Sequence, residues 1–141
     1  MELTESEMKE LERKLPDFTR ASLERVLASI PGQGLTGGVA LIAAERKRQV
    51  DVEGWTPKHD DDHEYGELAF AGAVYAAKAG VQSSREALPN YNGADTVSAE
   101  KYVGDGWPWD EEWWKPSLDP VRNLVKAGAL IAAEIDRLQR K

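Results

Sequence analysis

Val121, Leu124, Val125, Gly128, Ile131, Ala132, Ile135 and Leu138 recur at intervals of three and four residues near the end of the chain. That interval matches one face of an α-helix, which turns once in about 3.6 residues. Asp119 and Pro120 stand just ahead as an N-cap and a first-turn proline, so a helix is predicted to start there. A second helix is predicted over 61–80, DDHEYGELAFAGAVYAAKAG, with Asp at its start, small apolar residues on its faces and Gly80 closing it. GVALIAAERKRQV (38–50) begins apolar, turns strongly charged and also reads as helix. Nearer the N-terminus, 4–15 is a short charged helix with a Thr4/Glu7 capping box, stopped by Pro16. Residues 18–29 place Phe18, Leu23, Val26 and Leu27 at helical spacing.

Between these segments the pattern breaks. PGQGLTGG (31–38) carries four glycines and marks a boundary or hinge. EGWTPKHDDD (53–62) reads as a loop with a cap-like Asp cluster. Residues 81–106 show Gly, Asn, Pro and Asp without a helical period, so a long irregular loop is expected over 81–118. No stretch alternates as a strand would, and no internal repeat is present. The expectation is a mainly α protein: a helical ligand-binding domain over 38–141 and an N-terminal helical appendage over 1–31.

The 141 residues suit one such domain, and 41% hydrophobic with 30% charged residues is a globular composition. GGVALIAA, the longest apolar run, is far below the roughly 20 residues that span a bilayer. The acidic start MELTESEMKE has no secretory or lipidation pattern, so a cytoplasmic protein with no membrane partner is expected. The chain has no cysteine, which excludes disulfides and thiolate metal sites. A net charge of −7 argues against DNA or RNA as partner, since backbone binding needs a basic face. A small phosphorylated ligand needs only a few placed cations.

Three clusters carry candidate chemistry. In HDDDHEYGE, the spacing of His63, Glu64 and Glu67 lets pairs share a helical face, and Asp61, Glu64 and Glu67 could hold Mg²⁺. Aspartates at a helix start equally serve as caps. The MazG-type pyrophosphohydrolases, which act on nucleoside triphosphates, bind Mg²⁺ through two such pairs on two helices. Glu64-x-x-Glu67 matches one pair, whereas Glu45 is followed by Arg48 and Glu134 by Asp136, so the second is missing. No cofactor is otherwise called for, and whether the chain is an enzyme stays open. In AERKRQ, Arg46, Lys47 and Arg48 fan across about 200° of a helix, so at most two can aim into one pocket. No phosphate-loop, dinucleotide, zinc-protease or nucleophile-elbow pattern occurs.

The third cluster is WPWDEEWWKP (107–116), which holds four of the five tryptophans. Pro108 favours an extended Trp107, so the side chains of Trp107 and Trp109 are expected to diverge. The adjacent Trp113 and Trp114 should also point apart. One indole of each pair is therefore expected to meet a ligand or a second subunit, beside the cations Lys115 and Arg122.

The order ERKRQ, EGWTPKHDDDH, GELAFAGAVYA, WPWDEEWWKP and DPVRNLVKAGALIAAEIDRL resembles a widespread family of small phage and prophage proteins, over about residues 38–140. Gly54-Trp55-Thr56 and Asp60-Asp61 are also similar to the RyR domain, although Pro57 replaces an aromatic and His59 an arginine of that pattern. The second resemblance implies a nucleotide-like ligand. A phage origin implies a sponge that sequesters a cyclic-nucleotide signal of host defence, such as that of CBASS, in the host cytoplasm. Trp55, Trp107 and Trp109 would then stack on bases. Arg46, Arg48 and Lys115 would meet phosphates, with polar contacts from His59 and Tyr75, in a homo-oligomer. The alternatives are the MazG-like hydrolase and a plain protein-interaction module.

Overall fold

The computed structural model describes residues 3–14, 19–29 and 37–141. Among these there is no strand, and the protein is mainly α. The chain divides into two compact units, Met1–Ala40 and Leu41–Lys141.

In the first unit, α1 (Glu5–Lys14) and α2 (Arg20–Ser29) each span about three turns. The predicted capping box is present. Thr4 N donates to Glu7 Oε2 at 2.8 Å and Glu7 N donates to Thr4 Oγ1 at 3.2 Å. Met8 and Leu23 are buried, and Arg20 reaches from α2 to Glu5 of α1 at 2.8 Å. The expectations placed on Pro16, Phe18, the side chains of Val26 and Leu27, and residues 31–36 lie outside the described residues.

The second unit is built from α3 (Gly38–Asp51) from Leu41 onward, α4 (Pro57–Asp61), α5 (Glu67–Ala87), α6 (Ala94–Asp105) and α7 (Pro120–Gln139). Residues 53–62 are not all loop. Thr56 Oγ1 accepts from His59 N and Pro57 fills the first turn, which starts the short α4. The Asp cluster belongs to that helix and does not cap α5. Buried Asp60 is spent on an ion pair with Arg46 of α3. Helix α5 begins later than expected, at Glu67, after Gly66 at φ +81°. It also runs seven residues past Gly80, because Gly80 keeps helical φ and a Cβ there would meet open space.

The two glycines should therefore respond oppositely to alanine. Gly66→Ala should lower stability by about 1–2 kcal/mol through its left-handed backbone. Gly80→Ala should raise it by about 0.5–1 kcal/mol. Urea unfolding of both variants against the parent checks the pair.

The long loop expected over 81–118 is also corrected. Its first part completes α5, and 94–105 forms α6, which leaves 88–93 and 106–119 irregular apart from a turn of 3₁₀-helix at Glu111–Trp113. Helix α6 showed no period because Thr96, a polar residue, takes a buried inward position.

Helices α5 and α7 pack antiparallel and make the core. Leu68, Ala71 and Tyr75 meet Ala127, Leu130 and Ala133. Small residues set the close approach: a Cβ on Gly72 would lie 3.1 Å from the Ala127 carbonyl and 3.1 Å from Ile131. The start of α7 is as predicted, with Asp119 Oδ1 accepting from Val121 N at 2.9 Å. Its apolar stripe is phased differently from the core. Val121, Leu124, Ile131, Ile135 and Leu138 are 45 to 54% exposed, while the alanine face turns inward. Ile42 of α3 lies over Gly128 in the middle of that stripe. Among the described residues no helix is long and apolar enough to cross a membrane.

Candidate ligand-binding site

Helical spacing places Glu45, Arg48 and Gln49 on one face of α3, and Arg122, Lys126 and Leu130 on one face of α7. Leu68 and Tyr75 of α5 form the base between them. Segment 53–63 contributes Glu53, Trp55, His59 and His63, and segment 107–115 contributes Trp107, Trp109, Asp110, Trp113 and Lys115. Together these residues line a cavity of about 890 Å³.

One wall is a continuous run of rings. Trp55 stacks on His59 at 6.0 Å and 7°, His59 meets His63 at 5.1 Å, and His63 meets Trp109 at 5.0 Å. Trp109 contacts Trp107 edge to face at 5.3 Å, and Trp107 continues to Tyr75 and Trp114 at 5.6 and 5.0 Å. The expected divergence of Trp107 and Trp109 is thus corrected. Trp107 Nε1 donates to the Asp110 carbonyl at 3.1 Å, so the chain folds back after Pro108 and brings both indoles to one side. Trp113 and Trp114 do point apart. Trp114 packs on Tyr75 at 4.7 Å, while Trp113 is half exposed with Lys115 Nζ 5.7 Å from its ring.

The facing wall is charged and organised around Glu45, which is 4% exposed. Arg48 grips it through two bonds of 2.9 Å, and Arg122 Nη1 donates to it at 2.6 Å. Burial pushes the Glu45 carboxyl up, but the hydrogen bonds from Arg48 and Arg122 outweigh this and hold it below its usual range. Arg48 also reaches Glu53 at 2.8 Å, and both partners raise its already high pKa. Lys126 Nζ donates to the Lys115 carbonyl at 2.7 Å and sits 5.4 Å over the Tyr75 ring. Burial, then repulsion by Arg122, lowers its pKa. Burial raises that of Tyr75, whose hydroxyl accepts from Lys115 N at 3.3 Å.

Four cations (Arg48, Lys115, Arg122, Lys126) thus stand against three carboxylates (Glu45, Glu53, Asp110) in a chain of net charge −7. Among the described residues Lys115 and Lys126 pair with no carboxylate. The pocket therefore offers aromatic faces and a local positive excess, which is the chemistry that binds a planar anion.

Searches against protein-family models, curated proteins and solved structures match nothing to this chain.

Of the residues singled out in the sequence, Arg48, Trp55, His59, Tyr75, Trp107, Trp109 and Lys115 line this cavity. Arg46 does not; it is drawn the other way, to Asp60 and to the Trp55 carbonyl at 3.4 Å. Asp61 and Glu64 lie at a separate small recess with Arg137 and Arg140, where Asp61 pairs with Arg140 at 2.7 Å. Glu67 accepts from Tyr65 N at 2.8 Å. Among the described residues no three His, Asp or Glu side chains are placed to share a metal ion. Sequence reasoning missed Gln49 and Lys126. The signal was available as helical spacing: Gln49 follows Glu45 by four residues, and Lys126 follows Arg122 by four.

Proposed function

We propose that this protein binds a nucleotide and holds it uncleaved, and that its ligand is a cyclic nucleotide signal. The observation that supports this is the pairing of an aromatic wall with lysines that lack carboxylate partners, in one cavity of about 890 Å³. A volume in that range accommodates a ligand of nucleotide size. Trp55 and Trp107 stack on bases, each stacked base contributing about 1–3 kcal/mol, while Trp109, perpendicular to Trp107, turns its edge to the ligand. Lys115, Lys126 and the free side of Arg122 meet phosphate, while Arg48 is committed mainly to Glu45 and Glu53. His59 and Tyr75 complete the polar contacts. In a phage-infected cell such a protein would act as a sponge that removes a defence signal from the host cytoplasm.

Isothermal titration against cyclic AMP, cyclic GMP, cyclic di-AMP, cyclic di-GMP and cyclic tri-AMP should show at least one micromolar or tighter complex. The ligand should be recovered intact after the protein is denatured. Absence of binding by every member at micromolar protein overturns the reading, and recovery of a hydrolysed ligand overturns the non-catalytic part of it. Self-association is part of the proposal, supported by the exposed file Val121, Leu124, Ile131, Ile135 and Leu138. Native mass spectrometry should then show species above the monomer.

A further inference from the structure

Among the described residues, two buried polar atoms in the pocket wall lack a partner. Glu45 accepts from Gln49 Nε2 at 3.4 Å, and this turns the amide so that Oε1 faces away from the carboxylate. No described group donates to that oxygen, although Gln49 is only 2% exposed. Trp109 Nε1 is likewise buried and donates to nothing. Both residues line the cavity. Buried polar atoms are nearly always paired in folded proteins, so an unpaired pair at one cavity asks what completes them.

The polarity of each atom is set. With one N–H of its nitrogen given to Glu45, the amide of Gln49 leaves Oε1 as its unpaired atom, an acceptor, and an indole nitrogen can only donate. The partner must therefore bring one donor and one acceptor, on a body flat enough to lie among Trp107, Trp109 and His63. Inorganic phosphate lacks the flat body, and a hydrocarbon lacks both polar atoms. A nucleobase edge has an N–H beside a carbonyl or ring nitrogen on one planar frame.

We infer that Gln49 and Trp109 are the base-reading residues of this site: Gln49 Oε1 accepts from a base N–H, and Trp109 Nε1 donates to a base acceptor. The inference rests on the nucleotide reading given above. Glu45 acts as a positioning residue, since it fixes which end of the Gln49 amide faces the ligand.

The test uses the full chain and the tightest-binding member of the cyclic nucleotide panel. Gln49→Leu should weaken that ligand roughly 10- to 100-fold, because a site built around a hydrogen bond loses selectivity steeply without it. Trp109→Phe, which keeps a ring and removes the N–H, should weaken it about tenfold. The same ligand with its base N–H groups methylated probes the contact without altering the protein. It should lose affinity for the parent chain and lose no more on Gln49→Leu. If a ligand binds the parent but Gln49→Leu and base methylation both leave its affinity unchanged, the inference fails and the nucleotide reading stands. If no member binds the parent, both fall.

Discussion

Asn123→Leu should remove about 3 kcal/mol of folding stability, measured as a lowered urea midpoint with an unchanged slope. Asn123 is fully buried, and each of its polar atoms is used. Its Oδ1 accepts from Ser117 N at 2.8 Å, and its Nδ2 donates to Gln82 Oε1 and to the Ser117 carbonyl, both at 2.8 Å. Leucine nearly fills the volume but leaves the Ser117 N–H and Gln82 Oε1 without partners. The Ser117 carbonyl keeps its bond from Gln82 Nε2 at 2.9 Å, so the cost falls on two groups. A loss below about 1 kcal/mol would show that water reaches both groups after the substitution. The effect should extend to the pocket, since Asn123 ties down the end of the segment that carries Trp113 and Lys115.

The second large effect is expected at Glu45. Glu45→Gln keeps the shape and removes the charge that Arg48 and Arg122 share, so about 2–3 kcal/mol of stability should be lost at neutral pH. Both arginines keep some solvent contact, which places the loss below that of a fully enclosed pair. The difference should also depend on pH. The folded Glu45 carboxyl is held below the ordinary value of 4.5, so the unfolded chain takes up its proton first as acid is added. The stabilisation is thus complete above about 4.5 and fades as pH falls through the lower folded value. Glu134, held low mainly by its hydrogen bond from Arg137, contributes to the same acid limb. Parent and variant unfolding curves should therefore converge in acid. A gap that stays constant down to the parent's acid transition would contradict the role given to Glu45.

Two helix starts were legible from local rules, whereas the Asp start and the Gly80 end expected for α5 were not borne out. Thr4 with Glu7, and Asp119 with Pro120, are short-range chemistry, and both gave the expected hydrogen bonds. Helix α6 was not legible, since the buried Thr96 breaks the apolar period that would have announced it. The repeat in α7 was read correctly as a helix, but its spacing does not say which face forms the core, and most of its apolar positions lie outside it. Periodicity reports that apolar residues share a side, and the alanine side won the core because it lets α5 approach more closely. The pocket was half legible. Aromatic and basic residues were conspicuous, but Asp60 claims Arg46, and only the fold shows this. The recurved Trp107–Trp109 pair depends on a bond from an indole to the Asp110 carbonyl, a contact that no spacing rule anticipates.

The ring wall has an optical consequence. All five tryptophans of the chain either border the cavity or touch a ring that does, so its near-ultraviolet absorption arises almost entirely at one place. Rings 5.0 to 5.6 Å apart pass excitation among themselves before they emit. A single stacked guest would drain the emission of the whole set, giving the protein a built-in, label-free gauge of its own occupancy.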